Sequence, residues 1–452
     1  MAINVMDTEL FKEEFIAPEM KALFDERSVV ESWLLFESTL ADVQGELGII
    51  PTNVAAEIKS KASLEHVCYE RIVEINKKTK LASVATIRAL AEVCENGAGE
   101  YIHYGSCSPE LFENTLAYRL KKAMDVLEED LKMVKQHLNR LADNHRDTVM
   151  VDRSHGQQAL PVTFGFICAV WSDAVGKDIE RFQEARKRIL MGTIKGAVGN
   201  YSSHFAISGE KCLEMEKLVL ERLGLIFNPI SFRRHMERLT EFMNLMVIIA
   251  VTFEKICDDI FVQQRNEIAE LEEPFDVAHQ IGSSTLPQKR NPVRIEAIEA
   301  WCKKIRSNTA AFAETRHREA HDITGFYAED LLISETCVLA SAMLNHAKYI
   351  FENLVVREEG MLKNLNLSNG LVMTESLMIA LTKKTGRKQT AHHIIHTVAM
   401  EAFERNIPFK ELILQSPEIY EYLSKEEIEK LLEPKSYLGL NDHCINAIIE
   451  QK

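Results

Sequence analysis

Apolar side chains recur at steps of three and four residues over most of this chain. One series runs through Leu116, Leu120, Ala123, Leu127, Leu131, Val134, Leu138 and Leu141, which places a continuous stripe on one face of a helix with 3.6 residues per turn. Neither proline nor glycine occurs between Pro109 and Gly156, so the pattern predicts a single very long helix there. Comparable runs extend from Ile230 to Glu273, from Val293 to Thr324 and from Phe326 to Glu359. Helices of globular proteins average about 11 to 12 residues, and stripes much longer than that are buried against one another in bundles. No run alternates well enough to predict a sheet. Shorter and more often broken helical segments occupy residues 1–108 and the chain beyond Gly360. The reading is an all-α protein of three helical domains: 1–108, a central long-helix bundle at 109–360, and 361–452.

Composition narrows the function classes. The formal charge of -15 disfavours nucleic acid and anionic membranes as partners, since both attract basic surfaces. An anionic substrate must therefore meet locally placed cations. The most apolar stretch, FMNLMVIIAVTF from Phe242 to Phe253, is flanked by Glu241 and Glu254 and falls short of the roughly 20 residues a membrane span requires. It is predicted to be a helix buried on all sides. Nine cysteines at irregular spacings, with no Cys-x-x-Cys pair, fit reduced thiols rather than a disulfide framework. The first residues, MAINVMDTELFKEEF, place acids where a signal peptide needs an apolar core. A cytoplasmic protein is expected.

One loop departs from the helical pattern. GSSTLPQKRNP, Gly282 to Pro292, gathers a Gly-Ser-Ser turn, a lysine and an Asn-Pro between two long helical runs. Asn291 as cap and Pro292 in the first turn form a good helix start. Free N–H groups and the positive end of the helix dipole there, together with Lys289, favour a bound carboxylate or phosphate. An ordinary surface loop leading into a capped helix explains Gly282, Asn291 and Pro292 equally well.

The same eleven residues resemble the mobile signature loop of the fumarase/aspartase superfamily, Gly-Ser-Ser-x-Met-Pro-x-Lys-x-Asn-Pro, with Leu286 in place of Met. HYGSCSPELFEN at His103–Asn114 and DRSHGQQALP at Asp152–Pro161 are similar to two further segments of that family, in the family's order. The resemblance implies an L-aspartase/fumarase-like fold and a homotetramer with active sites assembled from three subunits. The implied chemistry is elimination from a succinyl skeleton with release of fumarate. It implies Ser283 as the base and His155 as the general acid. Ser106, Ser108, Ser284, Lys289, Asn291, Gln157 and His103 would bind a small anionic di- or tricarboxylate. No cofactor and no metal is called for. Cys107 stands where relatives carry a hydroxyl, and a thiol is the weaker donor.

Residues Gln157 to Pro161 resemble both adenylosuccinate lyase and 3-carboxymuconate cycloisomerase, while His155 and Gly156 favour the first. The N-terminal run from Leu10 to Pro51 looks more like the cycloisomerase. So does GFYAE at Gly325–Glu329, where adenylosuccinate lyases carry a phosphate-gripping Ser-Ser-x-x-Arg. A second histidine expected of adenylosuccinate lyases is replaced by the run Thr79, Lys80, Leu81, Ala82. The chain therefore reads as a divergent member breaking a C–N or C–O bond in a small substituted succinate. A cycloisomerase, an adenylosuccinate lyase or a non-catalytic helical scaffold are the alternatives. His317 and His321 have the spacing of two metal ligands, but a metal there is disfavoured. Arg316, Arg318 and His321 are weighed as anion contacts, and His392, His393 and His396 as a polar surface patch.

Overall fold

The computed structural model describes residues 4–231, 236–315 and 322–450. The predicted long helix is present as Ser108–Asn144, 37 residues or roughly 55 Å of axis. Every residue of its predicted apolar stripe, from Leu116 to Leu141, is buried. Further long helices are Glu26–Glu46, Phe164–Ile189, Glu237–Gln263, Val293–Ala313 and Ser334–Asn353. No helix among the described residues is long and apolar enough to cross a membrane. Arg316, His317, Arg318 and His321, weighed above as anion contacts or metal ligands, lie outside the described residues.

Three expectations need correction. The long runs are shorter than their patterns, since Ile230–Glu273 yields a helix only at Glu237–Gln263 and Val293–Thr324 only at Val293–Ala313. The stretch from Phe242 to Phe253 is not buried on all sides. Phe242, Met243, Met246, Ile249, Ala250 and Phe253 are buried, but Ile248 and Val251 are 40% and 52% exposed. Finally, the described residues include three two-stranded ladders. The largest is an antiparallel hairpin of Val149–Ser154 and Gln157–Thr163. Its first strand begins with the β-formers Val149, Met150 and Val151. Its register shifts between Val151 and Arg153, opposite Pro161, whose missing N–H cannot serve a regular ladder.

The chain forms two compact units, one of Met1–Leu131, Asp178–Val251 and Ala300–Asn345, the other of Lys132–Lys177, Thr252–Glu299 and His346–Lys452. In the first, Phe36, Leu40, Leu111, Ile194, Val219 and Leu223 form one apolar cluster. In the second, Val151 packs with Leu365, Val372 and Met373 beneath the hairpin, and Leu377, Leu381, Ile395 and Phe409 centre the C-terminal helices.

Candidate active site

His103, Ser106 and Ser108 lie in one segment of the first unit, organised by buried carboxylates. His103 Nδ1 is 2.6 Å from Oε1 of buried Glu37. Burial pulls the imidazole pKa down, but the charge and hydrogen bond of Glu37 outweigh it and hold the ring above its ordinary value. Ser106 Oγ donates to Glu110 Oε2 at 2.7 Å, and the Cys107 N–H reaches the same oxygen at 3.2 Å. The Gly196 N–H bonds the other oxygen, and His204 Nε2 stands 3.6 Å from Oε2. Burial pushes the Glu110 carboxyl up, but His204, the Ser106 hydroxyl and the Gly196 N–H hold it below the usual carboxylate range. Gly105 is required by a close approach: a Cβ there would meet His204 Nδ1 at 2.9 Å on a backbone with φ +85°. The Ser106 proton is thus committed inward. Ser108 Oγ instead accepts from Ser83 Oγ at 2.9 Å, which leaves its own proton for a ligand.

The segment Gly325 to Leu332 also belongs to this unit. It forms the short helix Ile323–Ala328 and a π-turn at Glu329–Ile333. Its two acids, Glu329 and Asp330, differ in their surroundings, Glu329 being buried and Asp330 exposed. Burial, with Glu113 and Asp330 nearby, raises the Glu329 carboxyl to about 8 against the pull of Arg238, so Glu329 is neutral at pH 7.

In the second unit, Ser283, Ser284, Lys289 and Asn291 share the signature loop. Its neck is pinched. A Cβ on Gly282 would fall 2.0 Å from the Lys289 carbonyl oxygen, and Asn291 Nδ2 donates to the Gly282 carbonyl at 2.7 Å. Half-buried Ser283 receives the Leu286 and Thr285 N–H groups on its Oγ, at 3.1 and 3.3 Å. Ser284 and Lys289 are exposed. The loop borders a cleft of about 880 Å³ whose lining includes Arg265, Glu267, Lys289, Arg290, Asn291 and Arg357. Glu272 is held between Arg290, at 3.0 Å, and Arg357.

The helix that follows does not offer its N-terminus to a ligand as expected. Glu273 occupies it, accepting from Arg294 N at 3.1 Å and Ile295 N at 2.9 Å. Burial nevertheless raises the Glu273 carboxyl to about 7. Glu273 ends the acidic run Glu270, Leu271, Glu272, Glu273, and nothing in that pattern marks which acid turns inward.

His155 and Gln157 sit at the hairpin turn of the second unit, both exposed. His155 and Gly156 are the two residues between paired Ser154 and Gln157, with φ of +53° and +73°, the left-handed pair that a type I′ turn demands. The stem below is rigid. Arg153 grips the fully buried Glu270 with two bonds of 2.7 Å, and Asn364 Nδ2 donates to the same carboxylate at 2.8 Å. Gln158 Nε2 donates to the Asn364 carbonyl at 2.7 Å. A non-glycine residue held left-handed at an exposed tip is uncommon, though histidine is among the residues that adopt that conformation more readily.

Comparison with known proteins agrees with these segments. A family model described as lyase matches residues 13–307, and one described as adenylosuccinate lyase C-terminus matches 370–448. Adenylosuccinate lyase of Methanocaldococcus jannaschii is 41% identical over 96% of this chain and 93% of its own length. N-acetyl-S-(2-succino)cysteine lyase of Dickeya dadantii is 35% identical over 99% and 98%. The crystal structure of the 3-carboxy-cis,cis-muconate lactonizing enzyme from Pseudomonas putida superposes with a TM-score of 0.86 at 27% identity, covering 98% of each chain. The chain belongs to the fumarase/aspartase superfamily, an all-α lyase of its adenylosuccinate-lyase-like branch.

Proposed function

We propose that the enzyme releases fumarate from a small substituted succinate by β-elimination, with Ser283 as base and His155 as acid. Ser283 removes the proton beside one carboxylate, and the electron pair left behind is delocalised into that carboxylate. It then forms the double bond as the heteroatom departs, protonated by His155. The observation that carries this reading is the environment of Ser283. A serine is a usable base only if its anion is stabilised, and two backbone N–H groups already point at its Oγ in a loop that also carries Lys289. Lys289, with Asn291, Ser284, Ser106, Ser108, Gln157 and His103, is assigned to the substrate carboxylates. The leaving atom is nitrogen, oxygen or, as the name of the Dickeya relative suggests, sulfur. Active sites shared between subunits of a homotetramer, and the division at 108 and 360, belong to the same reading.

Fumarate formation followed by ultraviolet absorbance tests it. Ser283→Ala should lower kcat by about 10²–10⁴-fold with Tm unchanged, because Ser283 lies in a loop outside the core. Near-normal turnover would remove Ser283 from the role. His155→Asn keeps the left-handed turn and should slow C–N cleavage more than C–S cleavage, since a thiolate with a pKa near 8.5 leaves without a proton and an amide-like or amine anion does not. Equal losses on both substrates would count against His155 as the acid.

A second reading, adenylosuccinate cleavage, is favoured by the identity to the Methanocaldococcus enzyme. Against it stands GFYAE at Gly325–Glu329, which has no arginine or paired serines to hold a phosphate. Adenylosuccinate should be a poor substrate, and a kcat/KM of ~10⁵ M⁻¹s⁻¹ or more would reverse the choice.

A further inference from the structure

The first unit contains a small, partly open pocket of about 140 Å³ lined by Trp33, Ala82, Phe112, Leu116, Arg119, Phe326, Glu329 and Asp330. Its walls are aromatic. The Trp33 and Phe112 rings meet edge-on at 5.4 Å, and Phe112 and Phe326 at 5.6 Å. Arg119 is only 7% exposed, yet its Nε has no hydrogen-bond partner. The indole Nε1 of Trp33 lacks one as well. A buried donor left unsatisfied carries a substantial penalty, and here two such residues line one small apolar space. Both groups are donors only, so an occupant that satisfies them must bring acceptors. A guanidinium prefers that acceptor to be a carboxylate.

The acids in the lining do not already fill that role. Glu329 is neutral at pH 7, and Asp330, though its charge favours the Arg119 guanidinium, makes no hydrogen bond or ion pair with it among the described residues. Both belong to the π-turn Glu329–Ile333, a distortion often found at functional sites. Position ties the pocket to the substrate segment. Phe112 is one helical turn beyond Ser108, and Ala82 adjoins Ser83, whose hydroxyl bonds Ser108. A cavity of about 150 Å³ holds a benzene-sized molecule, whereas sites for larger ligands start at roughly 300 Å³. The space suits a short fragment and excludes a nucleotide.

We propose that the Arg119 pocket receives the leaving-group half of the substrate, and that this half is a short apolar stem ending in a carboxylate of its own. The assignment rests on the elimination proposed above and narrows its substrates to succinylated thiols or amines that are themselves small carboxylic acids.

The test uses the full-length protein and 3-mercaptopropionate, its uncharged amide, and the S-succino derivative of each. In calorimetric titration the acid should bind about tenfold or more tightly than the amide, and Arg119→Met should abolish that difference. Trp33→Phe, which keeps the ring and loses the N–H, should weaken the acid severalfold. It serves in place of the arginine variant should Arg119→Met not fold. Equal binding of acid and amide, or binding of neither because ordered water fills the pocket, overturns the proposal. So does an acid preference that survives Arg119→Met. Fumarate release separates the two claims. Arg119-dependent binding without turnover retires the elimination and keeps the pocket. Turnover with a KM indifferent to exchange of acid for amide retires the pocket and keeps the elimination.

Discussion

A carboxylate that accepts two backbone N–H groups at a helix start is ordinarily kept ionised, but Glu273 does so in a setting buried enough to raise its carboxyl to about 7. Its ordinary value is 4.5, so between those two pH values the folded protein holds a proton that the unfolded chain releases. Stability from this group is therefore fully present below about 4.5 and is lost as pH rises through about 7, by about 3 kcal/mol in all. Glu273→Gln should flatten the fall of Tm between pH 5 and pH 8, and an unchanged slope would show that Glu273 does not titrate there. Residues of this kind also mark the limit of what the sequence discloses. Ser283, Lys289 and Asn291 are legible because their spacing within eleven residues matches a family pattern. That Glu110 bonds Gly196 and that Glu273 caps the helix at Arg294 and Ile295 depends on contacts made across 86 and about 21 positions. Local pattern carries no trace of those.

Among the elements, the long helices are the legible part. A stripe that repeats over seven turns or more, as in Ser108–Asn144, leaves only one face for the core, and burial follows directly from period. The Val149–Thr163 hairpin is not legible in the same way. Pro161 breaks the alternation, and the ion pair of Arg153 with Glu270 that ties the hairpin down joins residues 117 positions apart. Arg153→Met should therefore be costly, since it strands a carboxylate that is fully buried. Losing one partner of a buried pair typically costs about 3–5 kcal/mol. A marked drop in Tm is expected, recovered in part by adding Glu270→Gln. A small drop would mean the hairpin is held by its apolar underside alone.

At the scale of the whole molecule, the helix Glu237–Gln263 leaves a second stripe uncovered. Asn244, Ile248, Val251, Lys255, Asp258 and Val262 are all exposed, and their spacing alternates four and three, the heptad seam by which one helix packs against another. The sequence hides this stripe because the helix is apolar almost all round. If the assembly proposed above buries this seam, Ile248→Glu combined with Val251→Glu should yield a smaller species by light scattering, with activity lost alongside. A variant that keeps the wild-type mass would place the subunit contacts elsewhere.

The left-handed backbone at His155 bears on how such an enzyme loses its chemistry over generations. Among residues other than glycine, asparagine and aspartate tolerate that conformation best, and a histidine codon becomes an asparagine codon by one base change. One of the single-base changes open to this position thus keeps the turn, the hairpin stem and the helical framework while deleting the proposed proton donor. Purifying selection acting on the fold alone would not see it. A lineage in which catalysis was no longer needed could retain an intact helical scaffold, inherited through a change that leaves folding untouched.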